Sequence, residues 1–123
     1  MTVASVQFGD EKYAGLIEPG NAATSYAAII TLAEWQDWEN GEEAALTDAQ
    51  LVQFLDGLTT ILKDDGSYVE VPFGLDEKYR GRLTRLGSDQ SVIDLAEWSD
   101  WNNEVSAVIT GDMGRQILAL FNR

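Results

Sequence analysis

The side chains best placed to do chemistry in this chain are carboxylates and tryptophans that recur together. Glu34 with Asp37, and Glu97 with Asp100, lie three residues apart. On a helix that spacing sets both side chains on one face, where two such pairs could chelate a hard cation such as Mg²⁺. Among them stand Trp35, Trp38, Trp98 and Trp101, all four tryptophans of the protein. They occupy two like heptapeptides, Leu32-Ala33-Glu34-Trp35-Gln36-Asp37-Trp38 and Leu95-Ala96-Glu97-Trp98-Ser99-Asp100-Trp101. Buried, these indoles are ordinary core; exposed, a pair of them is a protein-binding hot spot, because Trp offers a large apolar face with one donor. One basic cluster, Lys78, Arg80, Arg82 and Arg85, has no counterpart in the first half and suits a docking surface for an acidic partner.

Other chemistries are closed off by composition. With neither Cys nor His, the chain has no disulfide, no thiolate metal site and no imidazole acid or base. It contains no Gly-rich phosphate loop, no Gly-x-Ser-x-Gly elbow and no zinc signature. The carboxylate pairs resemble the Glu-x-x-Glu and Glu-x-x-Asp pairs of all-helical nucleotide pyrophosphatases, and that resemblance implies a Mg²⁺-dependent nucleotide hydrolase. A simpler reading makes Glu34 and Glu97 the closing residues of helix capping boxes and leaves Asp37 and Asp100 to the helix dipole. The expectation is therefore a non-enzyme, with no catalytic residue, metal or cofactor.

Charge narrows the partners. The 123 residues carry 21 acids against 8 bases, a net −13, which repels nucleic acid because phosphate contacts need Lys and Arg. The imbalance is uneven: residues 1–66 hold 12 acids and 2 bases, a balance of −10, and residues 67–123 hold 9 acids and 6 bases, a balance of −3. Glu39, Glu42 and Glu43 are the acidic candidates for a partner surface. No apolar run reaches the roughly 18 residues of a membrane span, and the N-terminus lacks a signal-peptide pattern, so a cytoplasmic place is expected, or a host cytoplasm or virion for a phage protein.

The elements that must position these residues come in two series. Residues 2–8 alternate as a short strand ended by Gly9, and residues 67–74 repeat the pattern. Each is followed by a hexad, Asp10-Glu11-Lys12-Tyr13-Ala14-Gly15 or Asp76-Glu77-Lys78-Tyr79-Arg80-Gly81, and then by its Trp heptapeptide. Three blocks in one order predict an internal duplication, about 3–62 and 68–123, within a single domain over 1–123. Thr31 and Asp94 read as N-caps, so helices are expected to start at Leu32 and Leu95, after second strands at Tyr26–Ile30 and Ser91–Ile93. Asn40-Gly41 and Asn102-Asn103 would end those helices. A box at Thr47-Asp48-Ala49-Gln50 opens a long amphipathic helix to about Leu62, with a counterpart from about Asp112 to Phe121. The turn Lys63–Gly66 joins the halves. The fold expected is α+β: a duplicated β-turn-β-α-α unit with helices packed on one shared small sheet.

The functional expectation is a non-catalytic acidic protein-interaction subunit, such as an assembly or accessory structural protein of a phage or bacterium. An acidic inhibitor of a host defence protein that mimics nucleic acid is the alternative. The partner is a protein, including another copy of the chain in a head-to-tail oligomer, with no direct nucleic acid and no membrane.

Overall fold

The computed structural model describes residues 5–20, 25–63, 65–74 and 78–122; residues 2–4, 64 and 75–77, part of the first strand, the joining turn and the second hexad, lie outside them. The chain is α+β. Strands β1 (Val6–Gly9), β2 (Tyr13–Pro19), β3 (Ala28–Glu34) and β4 (Glu42–Leu46) lead into helix α1 (Asp48–Lys63). Strands β5 (Glu70–Phe73), β6 (Tyr79–Gly87), β7 (Gln90–Glu97) and β8 (Val105–Ile109) lead into α2 (Gly111–Leu120). Each set of four forms its own antiparallel sheet in chain order, β1-β2-β3-β4 and β5-β6-β7-β8.

Three expectations are corrected. The helices at Leu32 and Leu95 do not form: β3 runs on to Glu34 and β7 to Glu97. Both are central strands paired on either side, and the run Ala-Ile-Ile-Thr-Leu-Ala is rich in β-branched residues. Thr31 and Asp94 are accordingly buried mid-strand residues instead of N-caps. The unit is thus β-β-β-β-α rather than β-turn-β-α-α, since β4 and β8 follow the Trp motifs. The single shared sheet is replaced by two separate ones, each a meander of consecutive hairpin partners, and the edge strands β4 and β8 pack against the opposite sheet instead of extending it.

The long helix expected from Thr47 is present. The Gln50 amide donates to Thr47 Oγ1 at 3.1 Å and the Thr47 amide to Gln50 Oε1 at 3.0 Å, a reciprocal capping box. Phe54, Leu55, Leu58 and Ile61 on this helix are buried. Helix α2 is capped by Thr110, whose Oγ1 accepts from the Met113 amide, and it buries Ile117.

The two halves interlock. Helix α1 packs on β5, β6 and β7 of the second sheet, while α2 meets β1 of the first sheet and β8. The two sheets also face each other, with β8 against β1, β2 and β3, and β4 against β5, β6 and β7. One hydrophobic cluster runs through both halves, from Phe8, Ile17 and Ile30 to Phe73, Leu83 and Ile93. Gly15 and Gly81 give room to the buried rings of Phe8 and Phe73: a Cβ added at either glycine would stand 2.1 or 2.3 Å from ring atoms.

Candidate functional site

The Trp motifs are turns at strand ends. As β3 finishes, Trp35 and Gln36 take the left-handed conformation (φ 55° and 59°), and as β7 finishes, Trp98 and Ser99 do the same (φ 55° and 60°). Two consecutive non-glycine residues there cost roughly 1–2 kcal/mol each. The geometry is held from both sides. The Trp35 amide donates to the Lys12 carbonyl at 2.8 Å and the Trp98 amide to the Lys78 carbonyl at 2.7 Å, which ties each turn to its hexad. The turn of the first hexad is fixed by Asp10 Oδ1, which accepts from the Lys12 and Tyr13 amides at 3.0 and 2.8 Å. Beyond the turn, the side-chain amide of Asn40 donates to Asp37 Oδ2 at 2.8 Å, and Asn103 does so to Asp100 at 2.8 Å.

This geometry separates the members of each Trp pair. Trp35 and Trp98 stand at the turn tips, each 65% exposed. Trp38 and Trp101 open one-turn 3₁₀ segments, Trp38–Asn40 and Trp101–Asn103, and are half-buried. The carboxylate pairs also lose their supposed arrangement: without a helix, Glu34 and Asp37 share no helix face, and both aspartates accept from asparagines. Among the described residues no group of three acids is arranged to hold a metal ion.

The basic cluster divides by register. On β6, half-buried Arg80 and Arg82 alternate with buried Gly81 and Leu83. Arg82 lies across from Asp94, which lies across from Ser106. Its guanidinium pairs with Asp94 and Glu104, each at 3.3 Å, and stacks on the Trp101 ring at 4.4 Å. Asp94 also accepts from the Ser106 hydroxyl. Arg85 is tied inward, to the carbonyls of Ser67 at 2.8 Å and Thr60 at 3.2 Å. Lys78 is exposed and lies 5.1 Å from the Tyr79 ring centre.

Arg80 is placed differently. With Pro72, Trp98, Ser99, Trp101 and the buried Phe73 and Gly81, it lines a cleft of about 410 Å³. Trp98 divides this cleft from a second recess of about 220 Å³, lined by Glu42, Glu97, Asp100 and Asn103. Glu42 also faces a third, of about 320 Å³, where Glu34, Asp37 and Asn40 meet Val105. The two Trp loops therefore approach each other around Glu42. Its Oε2 is sealed from solvent and has no hydrogen-bond partner among the described residues. Burial, and next the charge of Glu97, hold its carboxyl above the ordinary range. Glu104 is raised too, by burial and then by Asp94, with Arg82 opposing.

Of the residues singled out from sequence, the structure brings Arg80, Trp98 and Trp101 together, and it sets Glu42 between the loops. Glu39 and Glu43 are exposed, and Trp35 belongs to the other turn. Pro72 and Ser99 were missed, having no chemical signature of their own. Asp94, Ser106 and Glu104 were missed as partners of Arg82, although a signal existed: the corresponding first-half positions are Thr31, Glu43 and Gly41, and Leu16, across from Thr31, stands where the second half has Arg82. Compared with family models, curated proteins and solved structures, the chain matches none.

Proposed function

We propose that the protein is a non-catalytic interaction subunit, an assembly or accessory component, that engages a protein partner through the Trp98 turn and the cleft beside it. The observation that carries this reading is Trp98 itself. A large indole is held outward on a conformation that costs free energy, between a recess containing Arg80 and one lined by Glu42, Glu97 and Asp100. Strain of this kind clusters at functional sites, and Trp and Arg are among the residues that most often anchor protein interfaces. That no helix among the described residues is long and apolar enough to cross a membrane accords with a partner met in water.

We further infer that the chain is one domain built by duplication of a β-β-β-β-α unit. Support comes from the like strand orders, the matched left-handed turns and the matched Asp–Asn bonds. An acidic inhibitor that mimics nucleic acid is the second reading, favoured by the carboxylates of both halves gathered around Glu42. Capture of a nucleic-acid-binding protein, released by competing DNA and lost with Glu97→Gln and Asp100→Asn, is what it requires.

The test of the first reading is site-specific crosslinking in the producing cell. A photoreactive phenylalanine at Ser99 is expected to give one defined protein adduct that Arg80→Glu abolishes, while the same group at exposed Val52 on α1 gives none. Adducts no stronger at 99 than at 52 would refute it.

A further inference from the structure

The cleft beside Trp98 differs in character from the rest of the molecule. In a chain of net −13, the described residues of its lining include no carboxylate and one guanidinium, that of Arg80. Arg82 and Arg85 are committed to partners within the fold, whereas the Arg80 side chain makes no hydrogen bond or ion pair with any described residue. Two indoles and Pro72 supply apolar walls. The chemistry that fills such a space is an aromatic side chain carrying carboxylates next to it, the ring against the indoles and an acid on Arg80.

The chain exposes such an element. Trp35 projects from its turn with Glu34, Asp37 and Glu39 around it, all exposed, in a stretch that has no basic residue between Lys12 and Lys63. The turn is already rigid, through the Lys12 carbonyl and the Asp37–Asn40 bond, so docking it orders little that was free. We propose that the occupant of the Arg80–Trp98–Trp101 cleft is the Trp35 turn of a second copy of this chain. The inference rests on the protein-interaction reading above and gives that interaction its partner.

Polarity follows from the difference between the halves. The position equivalent to Arg80 in the first half is Ala14, which is fully buried, so the first half offers the tip without the guanidinium and the second half offers the cleft. Tip and cleft are different surfaces of one molecule. Their contact is head-to-tail, and it builds rings or open chains instead of a closed twofold dimer.

Light scattering after size exclusion, with sedimentation velocity, tests this over a wide range of protein concentration at low and high salt. Wild type is expected to gain mass with concentration, more strongly at low salt. Trp35→Ala removes the tip and Arg80→Glu disables the cleft, so each variant alone is expected to stay monomeric. Mixed, they are expected to give a one-to-one dimer that grows no further, because one copy has only a cleft and the other only a tip. Circular dichroism checks that both fold. Should Trp35→Ala fail that check, Glu34→Lys at the exposed strand end serves instead: it weakens association about tenfold, and adding Arg80→Glu to the same chain restores it. A wild type that is monomeric at every concentration and salt level overturns the proposal, as does a mixture of folded variants that gives no dimer. A foreign adduct at Ser99 without self-association overturns it too, while leaving the protein-interaction reading intact.

Discussion

Gly81→Ala is the sharpest probe of how the second sheet packs. A Cβ at this position would lie 2.3 Å from both Cε2 and Cζ of Phe73 and 2.6 Å from Cδ2 of Leu95. Ordinary carbon contacts are about 3.5–4.0 Å, so one methyl overlaps three atoms by roughly 1 Å each. None of the three can easily retreat. Phe73 is 2% exposed and braced edge-on by Phe54, with ring centres 6.0 Å apart, and Leu95 is fully buried. Overpacking of this kind costs about 1–3 kcal/mol, against a gain of about 0.5–1 kcal/mol from the stiffer unfolded chain. The balance is a loss of about 1 kcal/mol. Phe73→Leu removes the ring atoms that are struck, so the two changes together should cost about 1 kcal/mol less than their sum. Urea unfolding of wild type, both single variants and the double variant measures this. A Gly81→Ala protein within about 0.5 kcal/mol of wild type, or strict additivity, would refute the packing of Gly81 beneath the Phe73 ring.

Two further substitutions test the polar groups. Asp94→Ala leaves Arg82 without one of its two acids and Ser106 without its acceptor, and should cost about 2 kcal/mol in urea unfolding, clearly more than Thr31→Ala at the equivalent strand position; equal costs would deny the Arg82–Asp94–Ser106 network. The Glu42 carboxyl is raised in the folded state, so its contribution to stability is fully present below its unfolded pKa and is lost as pH rises through the folded value. Glu42→Gln should therefore raise neutral-pH stability and remove that part of the pH dependence, and melts that move in parallel at acid and neutral pH would rule this out.

The features decided by near neighbours were legible in the chain itself. The Thr47–Gln50 box and the apolar stripe of α1 rest on residues three or four apart, which the surrounding fold here upholds, and the recurrence of hexad and Trp motif is a property of the sequence itself. The charge asymmetry needed no structure at all. The Trp motifs were misread because Thr-Leu-Ala-Glu and Asp-Leu-Ala-Glu satisfy a helix cap locally, while β3 and β7 gain hydrogen-bonded neighbours on both sides from residues distant in sequence. Alternation could not give warning. Ile30 and Leu32 are buried on one face of β3 and Thr31 and Ala33 on the other, so a strand covered on both faces reads as one apolar run. Likewise, four basic residues looked equivalent until pairing register set Arg82 opposite Asp94 and left Arg80 beside Trp98. Which of these two arginines meets an acid among the described residues is a property of cross-strand distance, and only the folded sheets bring those residues within reach.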